Sequence, residues 1–291
     1  MKALVLGGTQ FMGIHLVNQL ISAGHDVTIA TRGNNPDPFG DKVKRLKIDR
    51  QNSDTLREAF KGKSYDITID NIAYSSNEIK FLLDVLQTGK YVMTSSCAVY
   101  SKHLHDNIKE EEFDPKTHPL NWCDYSGTPY DEAKRQAETA LYQAYPNQLS
   151  VAVRFPYIFG KDDYTKRLFF YVDHVFHEKP MYVDNPDSKL SFIDSVEAGQ
   201  FLFHAATGPV EGPINPCSNG LITLGEVIAY TEKVSGKKAV LQPDGNPGTL
   251  NSVPNLGMDT TKATKSGFKF MNINDWVYPL ITFWVAEFSR K

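Results

Sequence analysis

Short apolar runs alternate with stretches of helical periodicity through the first 160 residues of the chain. Apolar residues that follow one another directly predict buried strands, and apolar residues spaced three or four apart predict helices. The predicted strands are Lys2–Leu6, Asp26–Ala30, Val43–Ile48, Tyr65–Asp70, Lys90–Thr94 and Leu149–Phe155, and the predicted helices are Phe11–Ala23, Ser53–Phe60 (capped by Ser53 or Asp54), Asn77–Leu86 and Tyr130–Tyr145. Because strands separated by helices form right-handed crossovers, this half predicts an α/β fold with a doubly wound parallel sheet.

The regular alternation ends near Gly160, and the remainder is richer in aromatic residues and proline. It contains three predicted helices and a predicted loop: Ile193–Ala206, Leu224–Val234 and Asn274–Phe288, with the loop at Asp244–Pro254. We therefore expect a sheet domain of residues 1–160, to which residues 191–208 return. We expect residues 161–190 and 209–291 to form a smaller, irregular C-terminal lobe that holds a substrate.

Composition narrows the class of protein. The 291 residues carry a net charge of −3, so no strong field draws the chain to nucleic acid or anionic lipid. Neither a signal peptide nor a run of about 20 apolar residues is recognisable, so no membrane segment is expected. Cys97, Cys123 and Cys217 are an odd number with no CxxC pair, which favours reduced thiols in a cytoplasmic protein.

A glycine-rich loop, Gly7-Gly8-Thr9-Gln10-Phe11-Met12-Gly13, directly follows the first strand and opens the first helix. Free N–H groups and the positive dipole end of that helix suit a pyrophosphate. Gly7 allows the tight turn, and Gly13 allows the helix to pack closely on the strand. The loop predicts a dinucleotide-binding domain, with Gln10 where the GxxGxxG pattern has its middle glycine. The cofactor path is then wider, or the Gln10 side chain turns away or donates to a phosphate.

The second strand leads into Thr31-Arg32-Gly33, where a site that prefers NAD usually carries an acid for the ribose 2′-hydroxyl. Between Val27 and Pro36 the chain has no Asp or Glu. Arg32 can pair with a 2′-phosphate instead, which weakly favours NADP over NAD as the cofactor. The alternative is that Arg32 is a solvated loop residue.

Two Tyr-x-x-x-Lys pairs occur, Tyr130/Lys134 and Tyr157/Lys161, and only the first lies in a helical pattern. Residues four apart share a helix face, so we expect the Lys134 ammonium to lower the pKa of the Tyr130 phenol from about 10. Such a tyrosine can exchange a proton with a hydroxyl or carbonyl while a hydride moves to or from nicotinamide. Ser96, at the end of the fifth strand, is the expected donor to the substrate oxygen.

Together these motifs resemble the extended short-chain dehydrogenase/reductase family, which includes nucleotide-sugar 4-epimerases and dehydratases. Five segments match in chain order, the last one weakly: the Gly7–Gly13 loop, the strand end Ser95–Tyr100 (SSCAVY), the Tyr130/Lys134 helix, Arg154–Gly160 (RFPYIFG, similar to the family's RPxxVYG) and Ser191–Ala198 (SFIDSVEA). The resemblance covers most of the chain. It implies a Rossmann-type doubly wound sheet with a smaller C-terminal substrate lobe.

The resemblance also implies roles for individual residues. Ser96, Tyr130 and Lys134 would be the catalytic triad, and Lys134 would also hold the nicotinamide ribose. The cofactor would further contact these residues: Asp49 and Arg50 beside the adenine, Asn71, Ile72 and Ala73 along its length, and the backbone at Pro156 near the nicotinamide.

Three features depart from the resemblance. Cys97 and Ala98 stand where the family's dehydratases carry an acidic pair, so we rank a dehydratase low. No arginine lies between Arg167 and Arg290 to clamp the pyrophosphate of a nucleotide sugar, so lysines and Arg167 must do so or the substrate is different. The glycine loop, with a bulky residue at its middle position, resembles that of an atypical branch of the superfamily. This branch includes chloroplast stem-loop RNA-binding proteins.

The histidine pairs His103/His105 and His174/His177 lack a completing Cys or acid, so no metal site is expected. The leading hypothesis is an NAD(P)-dependent oxidoreductase or epimerase that acts on a small molecule, possibly a sugar nucleotide. The alternatives are an RNA-interacting protein or a redox-sensing regulator on the same scaffold without turnover. Nucleic-acid binding is not expected, and a homodimer is possible because members of the family often dimerise.

Overall fold

The computed structural model describes residues 1–101 and 104–290. Its strands, in chain order, are β1 Lys2–Leu6, β2 Asp26–Thr31, β3 Lys44–Lys47, β4 Ser64–Asp70, β5 Gln87–Ser96, β6 Ser150–Phe155, β7 Tyr157–Phe159, β8 Pro180–Tyr182, β9 Lys189–Leu190, β10 Phe192–Asp194, β11 Gly212–Ile214, β12 Ile222–Thr223, β13 Val240–Leu241 and β14 Asn246–Pro247. Its α-helices are α1 Met12–Ser22, α2 Ser53–Phe60, α3 Ser76–Leu83, α4 Tyr130–Ala144, α5 Arg167–Phe176, α6 Ser195–Thr207, α7 Leu224–Ser235, α8 Thr261–Lys265 and α9 Ile273–Ser289.

Seven strands form a parallel sheet in the order β3-β2-β1-β4-β5-β6-β11. The order reverses between β1 and β4, which opens a crevice at the carboxyl edge where ligands bind in such sheets. The predicted Rossmann-type doubly wound fold is therefore confirmed. The prediction placed residues 209–291 entirely in the C-terminal lobe. That boundary differs from the structure, because β11 pairs with β6 and extends the main sheet.

Helices cover both faces of the sheet. Apolar residues of α1 and α6 pack against one face, and those of α2, α3 and α4 pack against the other. The close contact of α1 and α6 depends on Gly199, since a Cβ there would lie 2.6 Å from the Cβ of His15. Burial of apolar surface on both faces explains why β1 and β6 are almost continuously apolar in sequence.

A third apolar cluster lies beneath α5, α7 and α9 with their short strands. Here the periodicity was a weaker guide. The sequence gives no bounds for α5, but it favours helix core for the aromatic residues Phe169, Tyr171 and Phe176, and they pack in this way. The predicted helix Ile193–Ala206 begins only at Ser195, because Phe192–Asp194 forms β10 beside β7 and Asp194 caps the helix.

At the N-termini of α2 and α3, hydrogen bonds from capping residues, rather than apolar periodicity, decide where the helix begins. Helix α2 is capped by the Asn52 side chain, which accepts from the backbone N–H groups of Asp54 and Thr55, so the predicted Ser53 or Asp54 cap was wrong. Helix α3 begins at Ser76 behind a capping box formed by Ser75 and Glu78.

Candidate functional site

The glycine loop joins β1 to α1 as predicted. Gly7 has φ of 76°, a left-handed conformation that favours glycine. A Cβ on Gly13 would lie 2.8 Å from the Gly7 carbonyl oxygen and 3.1 Å from the Gly8 Cα, so the helix start and the loop fit only without a side chain there. No side chain caps α1, whose first turn lacks an acid. Its N-terminal N–H groups therefore suit a phosphate.

A cavity of about 420 Å³ opens over this loop at the carboxyl edge of the sheet. Eleven of the predicted cofactor residues line it: Gly7, Thr9, Gln10, Phe11, Met12, Gly13, Arg32, Asp49, Arg50, Asn71 and Ile72. Three other predicted cofactor residues do not: Ala73, Lys134 and Pro156. The lining of the cavity therefore includes the predicted phosphate, ribose and adenine contacts, but it does not include Lys134 and Pro156, which were predicted near the nicotinamide.

Residues that the sequence reasoning missed complete the lining, among them Asn34, Asn35, Gln51, Tyr74, Glu78, Tyr125 and Tyr164. Asn34 and Asn35 lie two and three residues after Arg32, so the polar composition of the loop after β2 could have indicated them. Tyr125 and Tyr164 come from distant loops, and no local pattern indicates them. Tyr164 meets the Phe11 ring edge-on at 5.9 Å between centroids.

Arg50 lies buried at the floor of the cavity and forms an ion pair with Asp70, with Nη1 2.5 Å from Oδ1. The Tyr91 hydroxyl donates to the other carboxylate oxygen at 2.8 Å, and Arg50 Nη2 donates to the Glu78 carbonyl at 3.0 Å. These bonds fix the guanidinium between the end of β4 and α3. Arg50 is thus a wall of the predicted adenine site rather than a free cation.

Ser96, Tyr130 and Lys134 lie together next to this cavity. Ser96 is the last residue of β5, and Tyr130 and Lys134 lie in the first two turns of α4. Lys134 is 2% exposed and donates to the carbonyls of Ala73 at 2.6 Å and Thr94 at 2.9 Å. Its ammonium lies 4.5 Å from the ring centre of Tyr74 and 5.9 Å from that of Tyr130. Ala73 was predicted to contact the cofactor. In the structure, its carbonyl oxygen accepts a hydrogen bond from Lys134.

The electrostatics of the pair differ from the sequence prediction. Burial raises the pKa of Tyr130 above its usual 10, and a hydrogen bond from Ser96 only partly opposes this shift. Burial also lowers the pKa of Lys134 to about 8. Lys134 directs its charge at the carbonyls and at the face of Tyr74, which explains why the expected lowering of the Tyr130 pKa by Lys134 was wrong.

Tyr74 and Tyr125 form the wall of the cavity next to Tyr130 of the triad. Tyr74 stacks on Tyr125 with 4.9 Å between ring centroids, and Tyr130 lies 6.4 Å from Tyr74 and 6.5 Å from Tyr125. Beside them, Cys97 is buried, which raises the pKa of its thiol to about 12. A neutral thiol cannot replace the acid that the family's dehydratases carry at this position.

Within residues 1–101 and 104–290, no group of three His, Cys, Asp or Glu side chains is placed to hold a metal ion, and no helix has the length and apolar character to span a bilayer. Cys97, Cys123 and Cys217 are free thiols. His103 of the His103/His105 pair lies outside the described residues.

The comparisons with known proteins agree with this geometry. The sequence model of the NAD dependent epimerase/dehydratase family matches residues 3–215. The chain belongs to this family. The glycine loop, the strand end Ser95–Tyr100 and the Tyr130/Lys134 helix of this chain all fall inside the matched range.

Two curated relatives and one solved structure illustrate the range of similar proteins. The chloroplast stem-loop binding protein of 41 kDa b of Arabidopsis thaliana is 26% identical over 67% of this chain and 52% of its own length. UDP-glucuronic acid decarboxylase 1 of Danio rerio is 31% identical over 55% of this chain and 41% of its own. The chain thus spans about half the length of these relatives. The UDP-glucose 4-epimerase of Thermotoga maritima has the same fold, with a TM-score of 0.77 at 15% identity over 100% of this chain and 99% of that one.

Proposed function

We propose that this family member is an NAD(P)-dependent oxidoreductase or epimerase that acts at a hydroxyl or keto carbon of a nucleotide sugar. The observation that carries the proposal is the juxtaposition of Ser96, Tyr130 and Lys134 beside a cavity built on the Gly7–Gly13 loop. A phosphate loop alone indicates binding, whereas a buried lysine next to a tyrosine and a serine hydroxyl supplies proton-transfer chemistry.

The cavity fits a dinucleotide by its chemistry. The uncapped start of α1 and the close approach at Gly13 suit the pyrophosphate, and the loop from Arg32 to Asn35 lies where the adenosine ribose would be held. Arg32 is exposed and supports NADP more than NAD, since it can form two parallel bonds to a 2′-phosphate. When bound, the nicotinamide supplies hydride transfer at the substrate carbon.

The chain's own residues would move the proton. Tyr130 would take a proton from a substrate hydroxyl or return one to a carbonyl, because its side chain is partly exposed at the start of α4. Ser96, hydrogen-bonded to Tyr130, would hold the same substrate oxygen. Lys134, anchored by two carbonyls, would offer its remaining ammonium proton to the cofactor ribose and fix α4 against β5.

The substrate class rests on the relatives. The Thermotoga maritima enzyme is named for UDP-glucose and the Danio rerio relative for UDP-glucuronic acid. Cys97 and Ala98 beside Ser96 favour epimerisation or net reduction over elimination of water, as predicted. A homodimer and a cytoplasmic location remain predictions.

The second candidate is a cofactor-binding RNA-interacting protein, which the 26% identity to the stem-loop binding protein favours. The net charge of −3 disfavours it, since nucleic-acid affinity depends on clustered cations. The basic residues of β3, Lys44, Arg45 and Lys47, are exposed at the sheet edge around a half-buried Leu46, as in a solvated strand.

Replacement of Tyr130 by phenylalanine tests the proposal. It removes the acid/base hydroxyl and keeps the ring. We expect turnover of a UDP-sugar to fall at least 100-fold while dinucleotide binding stays within twofold. Native mass spectrometry of the purified chain would first identify a retained NAD or NADP. Retained turnover in Tyr130→Phe, or salt-dependent RNA binding without hydride chemistry on any sugar, would reverse the assignment.

A further inference from the structure

The loop of residues 71–75, between β4 and α3, holds the ammonium of Lys134. The Ala73 carbonyl oxygen accepts from Lys134 Nζ at 2.6 Å, and the ring centre of Tyr74 lies 4.5 Å from the same nitrogen. The other acceptor of Lys134 is the Thr94 carbonyl on β5, at 2.9 Å. Because the loop supplies one acceptor and the aromatic face, a movement of the loop would displace the Lys134 charge.

Asp70, the last residue of β4, fixes the start of this loop. Its Oδ1 accepts from the backbone N–H of Ile72 at 3.1 Å, and its Oδ2 accepts from the Tyr91 hydroxyl at 2.8 Å. The Asp70 side chain is fully buried, and a buried carboxylate is costly unless it is also paired with a cation. That cation is Arg50, whose Nη1 lies 2.5 Å from Oδ1.

Glu78, in the first turn of α3, fixes the end of the loop. Its Oε2 accepts from the backbone N–H groups of Tyr74 at 2.6 Å and Ser75 at 3.2 Å. Arg50 is again the adjacent cation, since its Nη2 donates to the Glu78 carbonyl at 3.0 Å and its Nε lies 4.0 Å from Oε2. One arginine therefore contacts both of the acidic residues that hold the loop.

Arg50 comes from the connection between β3 and α2, and its side chain is more than nine-tenths buried. Burial of a guanidinium with two carboxylates costs the hydration of three charged groups. Apolar residues of similar volume often replace such a cluster at no cost in stability. Stability alone therefore does not account for these charges, whereas the loop that they hold leads directly to Lys134.

The charges of the same residues act on Lys134. Burial is the main cause that lowers the pKa of Lys134. The negative charges of Asp70, Glu78 and Glu138 oppose this shift, and the positive charge of Arg50 adds to it. Geometry and electrostatics thus connect Lys134 to the same arginine and the same two carboxylates.

The other titratable groups around Lys134 keep a constant charge near pH 8. Burial raises the pKa of Tyr74 to about 12, and it also raises the pKa values of Tyr91 and Tyr130 above their usual 10, so these phenols stay neutral. Glu138, on α4, forms a buried ion pair with Arg154 at 2.6 Å. The titration of Lys134 can therefore be followed without a second group that changes charge beside it.

We propose that Arg50 is a positioning residue for Lys134. Through Asp70 and Glu78, it holds the loop of residues 71–75 and with it the Lys134 ammonium. The inference rests on the proposed function, because it takes Lys134 as the lysine of the reaction. It gives Arg50 a second role besides its place in the wall of the predicted adenine site.

Titration of Lys134 in the full chain tests this without any turnover. In protein labelled with ¹³C at the Cε of lysine, NMR follows the protonation of each ammonium with pH, and the Lys134 signal is the one that Lys134→Met lacks. The variants are Arg50→Met, which removes the cation and keeps an unbranched side chain, and Asp70→Asn, which removes the charge and keeps an oxygen acceptor. The double variant combines the two changes.

We expect Arg50→Met to raise the Lys134 midpoint by roughly 1 pH unit, because loss of a neighbouring positive charge favours the ammonium. Asp70→Asn should lower the midpoint by about as much, because it removes a charge that favours the ammonium. The double variant should return to within about 0.5 unit of the wild type. Arg57→Met is the matched control, since it removes an exposed arginine that pairs with Asp54, and its midpoint should equal that of the wild type.

The proposal is overturned if Arg50→Met leaves the midpoint unchanged, or if both single variants move it in the same direction, as a general loosening of the fold would. If Arg50→Met does not fold, Asp70→Asn and the double variant decide. A lowered midpoint that the double variant restores supports the proposal, and one that it does not restore contradicts it.

Turnover of a UDP-sugar is a separate readout. In an active enzyme, the alkaline midpoint of kcat/KM should move in the same direction as the Lys134 midpoint in each variant. Opposite NMR shifts in Arg50→Met and Asp70→Asn, together with a wild type that turns over no UDP-sugar, would contradict the proposed enzyme and leave the positioning of Lys134 by Arg50 standing.

Discussion

The guanidinium of Arg154 lies 2.6 Å from the carboxylate of Glu138, and neither side chain is exposed to solvent. Glu138 is one turn beyond Lys134 on α4, and the Ser95 hydroxyl donates to the same carboxylate. Arg154, on β6, also donates to the Tyr100 hydroxyl at 2.6 Å. This network fixes the helix that carries Tyr130 and Lys134 against the two strands whose ends form the site.

We expect Glu138→Gln to lower the free energy of unfolding by about 3–5 kcal/mol, because it leaves the Arg154 charge buried without its counter-ion. Urea unfolding monitored by circular dichroism measures the change. Glu132→Gln is the matched control on the same helix. Its carboxylate pairs with Arg135 at a partly exposed position, so its loss should cost about 1 kcal/mol or less. Similar losses in both variants would contradict a special role for the buried pair.

Local patterns predicted the parts of the fold that local physics decides. The apolar runs predicted β1 and β6, and the glycine loop predicted the turn between β1 and α1 that lines the cavity. Tyr125 and Tyr164 could not be predicted in the same way, since loops distant in sequence bring them to the cavity. The direction of the Tyr130 pKa shift was missed because burial and the carbonyl partners of Lys134 exist only in the folded chain.

The face of Tyr74 stabilises the charged form of Lys134, whose ammonium lies 4.5 Å from its ring centre. Burial lowers the pKa of Lys134 to about 8, so the ammonium loses its proton as the pH rises through about 8. If the charged form serves the cofactor ribose, kcat/KM should fall on the alkaline side with a midpoint near pH 8. Tyr74→Leu should move this midpoint to lower pH by roughly 0.5 to 1 unit.

The pH–rate profile of each variant checks this expectation. Tyr125→Leu is the matched control, because Tyr125 stacks on Tyr74 at 4.9 Å and is the outer ring of the wall. Its alkaline midpoint should stay within about 0.3 unit of that of the wild type. An unchanged midpoint in Tyr74→Leu would show that the ring does not support the Lys134 charge.

Arg32 is the residue from which we expect a preference for NADP over NAD. It is exposed, it lines the cavity beside Thr31 and Asn34, and β2 ends without an acid for the 2′-hydroxyl. We expect Arg32→Gln to weaken NADPH binding roughly 10- to 100-fold and NADH binding less than threefold. Fluorescence titration with both dinucleotides measures the ratio.

The control for Arg32 is Arg57→Gln, which removes an exposed arginine of α2 that pairs with Asp54 away from the cavity. It should leave both affinities unchanged. Equal losses for NADPH and NADH in Arg32→Gln, or a wild type that binds NADH tenfold more tightly, would contradict the inferred preference for NADP.

An ion pair connects α1 to the loop that precedes α5. His15 Nε2, on α1, lies 2.9 Å from an Asp162 oxygen, and the Ser195 hydroxyl donates to the other oxygen at 2.7 Å. The hydrogen bond to Asp162 is the main cause that raises the pKa of His15 above 6.5, and the charge of Asp194 adds to it. Among the described groups, Asp162 and Asp194 are the acids that raise the His15 pKa.

The sign of the pH effect follows from the two shifts. A raised pKa in the folded state means that His15 stabilises the fold below pH 6.5, and this contribution disappears as the pH rises through the raised value. The pKa of Asp162 is lowered, so its part is present above 3.8 and is lost in stronger acid. His15→Gln should therefore cost most near pH 5 to 6, about 1 kcal/mol because both partners are partly exposed, and less at pH 8.

Urea unfolding of the wild type and of His15→Gln at about pH 5.5 and pH 8 measures this difference. His25→Gln is the control histidine. Burial and the N-terminal charge lower the pKa of His25, so its protonation opposes folding and its loss cannot reproduce the cost in acid. If His15→Gln costs the same at both pH values, its effect comes from packing against Gly199 on α6 rather than from the ion pair, since only the ion pair depends on the imidazolium.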